Sequence, residues 1–196
     1  MPKLGMEPIR KAALIEATIY QIGLKGSLDV TVSQIAKSAG MSSALAHHYF
    51  GSKEEMFLAA MRHILTVYGK AVREALNEAQ TPQERLSAIF HASFGETNFQ
   101  REVVASWLNF WVLAQTAPQA RRLLTLYEKR LHSNLVYCLR PLLGPRAVVF
   151  AETLGALIDG LYLRQALTGQ APDAGAAVDK LEEALAAELR SHARAV

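Results

Sequence analysis

Apolar residues recur at helical spacing through almost the whole 196-residue chain, and no segment alternates in the way a half-buried strand does. Gly and Pro interrupt this pattern and divide it into about nine segments, because both residues open or end helices. Hydrophobic residues make up 51% of the chain, which is enough to bury a core. The sequence therefore predicts an all-α protein.

Capping residues predict where the helices begin and end. Capping boxes, in which a hydroxyl and a Glu or Gln side chain satisfy the first backbone donors, are expected at Thr31, Ser52 and Thr81. The seventh helix is expected to end before Pro141, because proline has no backbone N–H to donate. The predicted helices cover roughly residues 8–26, 32–39, 43–50, 53–75, 82–94, 102–115, 118–140, 146–167 and 173–191.

Several classes of protein are excluded by composition. The single cysteine, Cys138, rules out a disulfide framework within the chain and a Cys-rich metal site. The longest apolar-rich stretch is taken to be residues 103–114, which is shorter than the about 20 residues that span a bilayer. No apolar run of the signal-peptide type follows Met1. We therefore expect a soluble, cytoplasmic protein with no membrane partner.

The net charge of +3 lies entirely in the first quarter of the chain. Residues 1–53 carry six Lys or Arg against three Asp or Glu, whereas residues 54–196 carry fifteen of each. A basic module on a neutral body suggests a polyanionic partner for that module, although so small an excess also arises by chance. This division predicts a nucleic-acid-binding domain over residues 1–53 and a second domain over residues 54–196.

Residues 31–50 hold two short helical segments joined by a turn that contains Gly40, which is the helix-turn-helix arrangement. Small side chains keep the second helix slim enough for a major groove, where Ser and His reach base edges and Ala touches a thymine methyl. Of the adjacent histidines, about 100° apart on a helix, one is expected to face DNA or solvent and the other to pack. The predicted DNA-contacting residues are Thr31, Ser33, Lys37, Ser42, Ser43, Ala44, His47, His48, Tyr49 and Lys53.

These residues carry a resemblance to a known family. Residues 31–36, 39–42 and 48–55 resemble the N-terminal domain of the TetR family of bacterial repressors, over about residues 8–68. The resemblance implies a homodimeric repressor that binds double-stranded operator DNA and takes a small-molecule inducer into a C-terminal helical bundle. It also implies that Tyr49 and Lys53 contact phosphates and that the chain dimerises through its last two helices.

Further blocks resemble one branch of this family, the choline-responsive repressors of glycine betaine synthesis. The blocks are residues 1–6, 48–50, 107–111, 130–136 and 157–164. This resemblance implies choline or betaine aldehyde as the inducer, no cofactor or metal, and control of choline uptake and glycine betaine synthesis. Gly95 and Tyr162 depart from the branch, which has an acidic residue and Trp there, so another lipophilic or cationic inducer stays open.

Aromatic spacing indicates a candidate inducer site. Trp107 and Trp111 share one helix face and, with other aromatic rings, could enclose a quaternary ammonium ion. Asp159 lies inside an apolar helix, where a carboxylate is costly unless paired. Core packing of the rings, and a structural pair of Asp159 with Arg130 or Arg164, are the alternatives. The predicted ligand-binding residues are Phe94, Glu96, Trp107, Phe110, Trp111, Asp159 and Tyr162.

The last two helices carry long apolar seams that predict a homodimer, with packing inside one subunit as the alternative. The seam residues are Leu154, Leu157, Gly160, Leu161, Val178, Leu181, Leu185 and Leu189.

No phosphate loop, nucleophile elbow or paired metal-ligand motif is present, so an enzyme is not expected. An all-helical interaction protein would account for the bundle, but not for the slim helix flanked by Tyr49 and Lys53. The helix from residue 53 is expected to carry the inducer signal to the DNA-binding domain.

Overall fold

A computed structural model describes residues 5–195, which form nine α-helices, one 3₁₀ turn and no strand. The prediction of an all-α protein with an N-terminal helix-turn-helix is confirmed, and most helix bounds lie within a few residues of those expected. Of the block at residues 1–6, Met1–Leu4 lie outside the described residues. The helices are α1 Met6–Lys25, α2 Val32–Ser38, α3 Ser43–Phe50, α4 Lys53–Glu78, α5 Pro82–Ser93, α6 Arg101–Ala114, α7 Pro118–Leu143, α8 Ala147–Thr168 and α9 Ala174–Ala195.

Two of the three predicted capping boxes are complete. The Thr31 hydroxyl accepts from the Gln34 backbone N–H at 3.1 Å, and the Gln34 side chain accepts from the Thr31 N–H at 2.8 Å. The Thr81 box is equally complete. At Ser52 only half of the box forms, because the hydroxyl accepts from Glu55 at 3.1 Å while the Ser52 N–H donates to the Phe50 carbonyl. The preceding turn therefore takes the donor that Glu55 was expected to satisfy.

The predicted end of α7 before Pro141 is wrong. The helix continues through Pro141 to Leu143 and closes at Gly144, whose φ is +53°. Pro141 is exposed and lies in the last turn, where the carbonyl that its missing N–H would have met can bind water. A proline so close to a helix end therefore costs too little to stop the helix.

The first three helices and the start of α4 form a small head with its own buried residues, among them Leu14, Ile35 and Ala46. From this head α4 runs into the body, where α5 to α9 pack. The first helix, α1, docks closely on α6 of the body: a Cβ added at Gly23 would lie 2.7 Å from the Glu102 Cα. The Asn109 side chain also donates to the Gly26 carbonyl at 3.2 Å. The head therefore meets the body along α6 as well as along α4.

Two expectations about apolar stretches need correction. The segment Pro118–Thr168, not residues 103–114, is long and apolar enough to cross a membrane by length and composition alone. Core helices pass the same test, and α8 buries Leu154 and Ile158 inside the protomer. The predicted dimer seam is also partly wrong, since helical periodicity identifies an apolar face but not its partner. The seam residues buried within the protomer are Leu154, Val178, Leu181 and Leu185.

Candidate nucleic-acid interface and ligand site

The turn between α2 and α3 is set by one glycine and two small core residues. Gly40 has a φ of +66°, a left-handed conformation that glycine adopts without strain. The next residue, Met41, donates its N–H to the Ala36 carbonyl at 2.8 Å. Ala36 and Ala46 are fully buried, so α2 and α3 pack closely against one another. The polar side chains of α3 are therefore free of the packing.

The predicted DNA-contacting residues remain accessible in the head. Ser43 is half-buried at the start of α3. Both His47 and His48 are exposed, so the expectation that one of them packs is wrong. His47 Nδ1 instead lies 3.1 Å from the Gly51 carbonyl oxygen, a contact available at the helix end. The other exposed members of the set are Thr31, Ser33, Lys37, Ser42, Ala44 and Lys53.

Tyr49 and Lys53 are held in defined positions. The Tyr49 ring is half-buried, and the Lys11 Nζ lies 5.8 Å from its centroid. The Lys53 ammonium donates to the Leu28 carbonyl at 3.1 Å, so the loop before α2 orients it. Lys11 was not singled out in the sequence, because its helix lies outside the helix-turn-helix segment. It adds a second cation beside α3.

Four of the aromatic residues predicted for the ligand site lie together, and Trp107 is at their centre. Its ring centroid lies 5.8 Å from that of Phe110, 5.8 Å from that of Trp111 and 6.1 Å from that of Tyr162. Its nearest aromatic neighbour is Tyr127, at 4.7 Å. Residues from α6, α7 and α8 therefore meet in one cluster, which we call the aromatic cluster.

Phe94 joins the aromatic cluster through Tyr162. The Tyr162 centroid lies 5.4 Å from that of Phe94 and 5.0 Å from that of Phe99. Its hydroxyl donates to the Ser93 carbonyl, which fixes the ring against the end of α5. Tyr68 of α4 completes the cluster, 5.9 Å from Tyr127. Sequence reasoning missed Tyr68, Phe99 and Tyr127, since no local pattern shows which aromatic residues of separate helices converge.

Asp159 is half-buried beside this cluster. Burial, together with the like charge of Glu128, raises the pKa of Asp159 from 3.8 to about 7. Its carboxylate in turn contributes to the raised pKa values of Tyr68, Tyr127 and Tyr162, although burial is the main cause for each. Among the described residues it forms no ion pair, so a structural pair with Arg130 or Arg164 is not present.

Glu96, the other predicted counter-charge, lies between Phe94 and Phe99 in sequence. It is exposed in the turn between α5 and α6, and within residues 5–195 it forms no hydrogen bond or ion pair. Asp159 is therefore the carboxylate whose charge acts on all three tyrosines of the cluster. No group of three His, Cys, Asp or Glu suited to a metal ion occurs among the described residues.

A cavity of about 600 Å³ between α4 and α7 borders the cluster. Tyr68 and Tyr127 belong to both, and Arg62, Arg73 and Arg130 also line the cavity. Its volume falls in the range of small-molecule sites, about 300–1,000 Å³. Tyr68 and Tyr127 thus belong both to the wall of this cavity and to the aromatic cluster.

Comparison with family models matches both parts of the chain. The model of bacterial regulatory proteins of the tetR family matches residues 14–60, which include α2 and α3. The model described as the C-terminal part of BetI-type transcriptional repressors matches residues 82–190, which include α5 to α8 and most of α9.

Curated relatives resemble the chain along most of its length. The HTH-type transcriptional regulator BetI of Brucella melitensis biotype 2 is 51% identical over 190 residues, which covers 96% of each chain. The protein of the same name from Agrobacterium fabrum is 50% identical over 168 residues, covering 85% of this chain and 82% of that one.

Solved structures share the fold. A transcriptional regulator from Pseudomonas aeruginosa PAO1 has a TM-score of 0.77 at 27% identity, covering 98% of this chain and 96% of its own. A regulator from Saccharomonospora viridis, solved in complex with choline, has a TM-score of 0.79 at 22% identity, covering 88% of this chain and 93% of its own. At that identity the second likeness is one of fold.

Proposed function

The chain belongs to the TetR family of bacterial transcriptional regulators, with a C-terminal part of the BetI type, and from that premise we propose a choline-responsive repressor. Its proposed targets are genes of choline uptake and glycine betaine synthesis. The observation that carries the proposal is an aromatic cluster with one half-buried, unpaired carboxylate, Asp159. The protein acts in the cytoplasm, where the operator DNA lies, and has no catalytic role in this account.

The aromatic cluster suits a quaternary ammonium ion. Such an ion has no N–H to donate, so it is held by ring faces and by a nearby negative charge. Each ring face contributes about 0.5–2 kcal/mol, the larger value applying where water is excluded. We place the ammonium group against Trp107, Tyr127 and Tyr162, beside Asp159. Because the Trp107 and Tyr127 centroids lie 4.7 Å apart, these rings must separate to admit it. The choline complex of the Saccharomonospora viridis protein supports the ligand class through a shared fold.

The head is proposed to read DNA with α3. Its exposed Ser42, Ala44 and His47 meet base edges in the major groove, while Tyr49 and Lys53 meet phosphates. Two heads spaced by about 34–36 Å would enter successive major grooves on one side of the duplex. A dimer is needed for this, since one short helix reaches few base pairs.

An exposed apolar stripe on α8 is the proposed dimer seam. The side chains of Val149, Leu163 and Leu167 are 67%, 42% and 73% exposed. A Cβ added at Gly160 would meet no atom within 4 Å, so a second helix can approach the backbone there. The stripe consists of Val149, Thr153, Ala156, Gly160, Leu163 and Leu167.

An antiparallel pair of α8 helices would bury the stripe of each protomer against that of the other. We expect Leu163→Glu, which places a charge within the stripe, to weaken the dimer at least about tenfold in analytical ultracentrifugation. Glu152→Gln, on the exposed flank of the stripe, is the control and should leave the dimer unchanged. Equal dimer affinities of these two variants would contradict this seam.

The inducer signal is proposed to pass through α6 as well as α4. The helix α6 carries Trp107 and Phe110 toward the aromatic cluster, and near its start Glu102 packs on Gly23 of α1. A ligand that prefers one position of α6 therefore biases the position of the head. It can do so only by its difference in affinity for the two states.

Calorimetric titration with choline and with betaine aldehyde tests the proposed ligand. We expect saturable heat from at least one of them, and an affinity at least about tenfold weaker in Asp159→Asn. Asp179→Asn, on the exposed face of α9, is the matched control and should bind as the wild type does. If neither compound gives heat, choline is excluded as the inducer. The protein would then be a TetR-type regulator with another lipophilic or cationic inducer.

A further inference from the structure

A second cavity, of about 810 Å³, shares no lining residue with the aromatic cluster. It is bounded by the first turn of α5, the second half of α7 and the first turn of α8. Three basic side chains line it, and no Asp or Glu does: the basic residues are Arg85, His132 and Arg140. The rest of its wall is mainly apolar, with Val136, Pro141 and Val148. The cavity is thus positively charged, with a partly apolar wall.

Two buried nitrogen atoms lack a hydrogen-bond partner, and both belong to residues that line this cavity. They are Arg85 Nε and His132 Nε2, the two such side-chain atoms found in the described part of the chain. More than about 90% of buried polar groups in proteins have a partner. Arg85 Nε always carries a hydrogen, and His132 Nε2 carries one in one tautomer and in the protonated ring, so both can donate to the same missing acceptor. Two orphans on one cavity point to an acceptor that belongs inside it.

The Arg85 guanidinium also lacks a countercharge. Its Nη1 donates to the Leu76 carbonyl at 3.2 Å, and it lies 5.6 Å from the centroid of the Tyr137 ring. None of the four ion pairs among residues 5–195 includes it. Burial raises the pKa of the neighbouring Cys138 thiol more than its hydrogen bond with Arg85 and the Arg85 charge lower it. The thiol therefore stays neutral and supplies no negative charge to the guanidinium. A partly buried guanidinium without an anion is a costly arrangement.

We propose that this cavity is a second ligand site and binds a small organic carboxylate. The carboxylate meets the Arg85 fork and the His132 nitrogen, and the apolar body lies against Val136, Pro141 and Val148. Planar carboxylates match the guanidinium fork, and the volume is that of a small-molecule site. Tyr137, which is 70% exposed, covers the guanidinium and turns aside when the ligand enters. The proposal goes beyond choline recognition and does not depend on it.

Benzoate and hexanoate are suitable probes, with benzamide and hexanamide as uncharged counterparts. We expect each carboxylate to bind once per chain with a Kd of about 1 mM or tighter in equilibrium dialysis, and each amide at least about tenfold more weakly. Arg85→Gln should weaken the affinity for each carboxylate at least about tenfold. Arg122→Gln, at an exposed arginine of α7, should leave that affinity unchanged. Saturating choline should not compete.

A second variant protects the test against misfolding of Arg85→Gln. Val148→Glu leaves Arg85 in place and adds a carboxylate to the cavity wall. The new carboxylate should pair with the Arg85 guanidinium and so prevent benzoate from binding there. The proposal is overturned if benzoate fails to bind at about 10 mM, if benzamide binds equally well, or if both variants bind benzoate as the wild type does. It is also overturned if Arg85→Gln weakens the dimer while benzoate does not bind, because the missing acceptor then belongs to the second protomer.

Discussion

The head and the body of this regulator place their recognition residues in opposite environments. In the head, caps and buried alanines hold α2 and α3, so His47, His48 and Lys53 are exposed and support little of the fold. In the body, Trp107 and Phe110 belong both to the aromatic cluster and to the hydrophobic core, at 5% and 0% exposure. Substitutions in the head should therefore affect binding alone, whereas those in the body should affect binding and stability together.

Phe110→Ala is the strongest test of this contrast. Removing a fully buried ring between Phe57 and Trp107 should lower the free energy of unfolding by about 3–5 kcal/mol, through lost contacts and a cavity. His48→Ala should change it by less than about 0.5 kcal/mol while weakening operator binding. Chemical denaturation of both variants measures the two values. Similar decreases in the free energy of unfolding for the two variants would contradict the difference between head and body.

Gly23→Ala addresses the contact between the regions. The added Cβ would lie 2.4 Å from Glu102 Cγ and 2.7 Å from Glu102 Cα, and the backbone atom cannot move aside. We expect α1 and α6 to separate at a cost of about 1–3 kcal/mol, and inducer to release DNA less effectively. Gly26→Ala is not a fair control because of its φ of +67°, so Gly69→Ala on α4 is preferred. Unchanged stability and unchanged release would show that this contact does not couple head to body.

Asp159→Asn tests the buried charge of the body. Because its folded pKa of about 7 exceeds the ordinary value of 3.8, the folded wild type loses stability as pH rises from about 4 to 7. Above pH 7 the uncharged variant should be more stable by about 2 kcal/mol, roughly half of what the full pKa difference gives, because solvent screens part of the half-buried charge. Below pH 4 the two should converge. Choline affinity of the wild type should rise through pH 7, since the cation favours the ionised carboxylate. A pH-independent difference in thermal unfolding would contradict the assignment.

The smallest expected effect is that of Lys53→Ala. Loss of one phosphate contact should weaken binding to all DNA sequences alike, by about 1 kcal/mol, and reduce the slope of log affinity against log salt by about 1. Stability should hardly change, although the bond to Leu28 is lost. Fluorescence anisotropy over a range of salt concentrations measures both. Equal DNA affinities of the variant and the wild type at low salt would show that Lys53 makes no phosphate contact.

Local signals predicted the head better than the body. The capping residues at Thr31 and Ser42, and Gly40 in the turn, act over a few residues, so the sequence places α2 and α3 within one position. The aromatic cluster depends instead on the packing of α4, α6, α7 and α8. Spacing within one helix placed Trp107 beside Trp111, but nothing local brings Tyr68 and Tyr127 to them.

The dimer seam illustrates the same limit. Leu154 and Leu181 have the spacing of a seam, yet both are fully buried within the protomer. The exposed stripe at Val149, Leu163 and Leu167 became visible only once the protomer's own contacts were known. An apolar periodicity shows that a face is covered, and the tertiary structure decides whether its own chain covers it.

Release of DNA by choline tests the central claim most directly. A fragment selected by the protein from a random-sequence pool would be labelled, and its anisotropy followed as choline is added. We expect release by choline but not by 3,3-dimethyl-1-butanol, the uncharged counterpart of the same shape, because the ring faces and Asp159 hold a cation. A complex that persists at about 10 mM choline, or that both compounds release equally, would contradict a choline-responsive repressor.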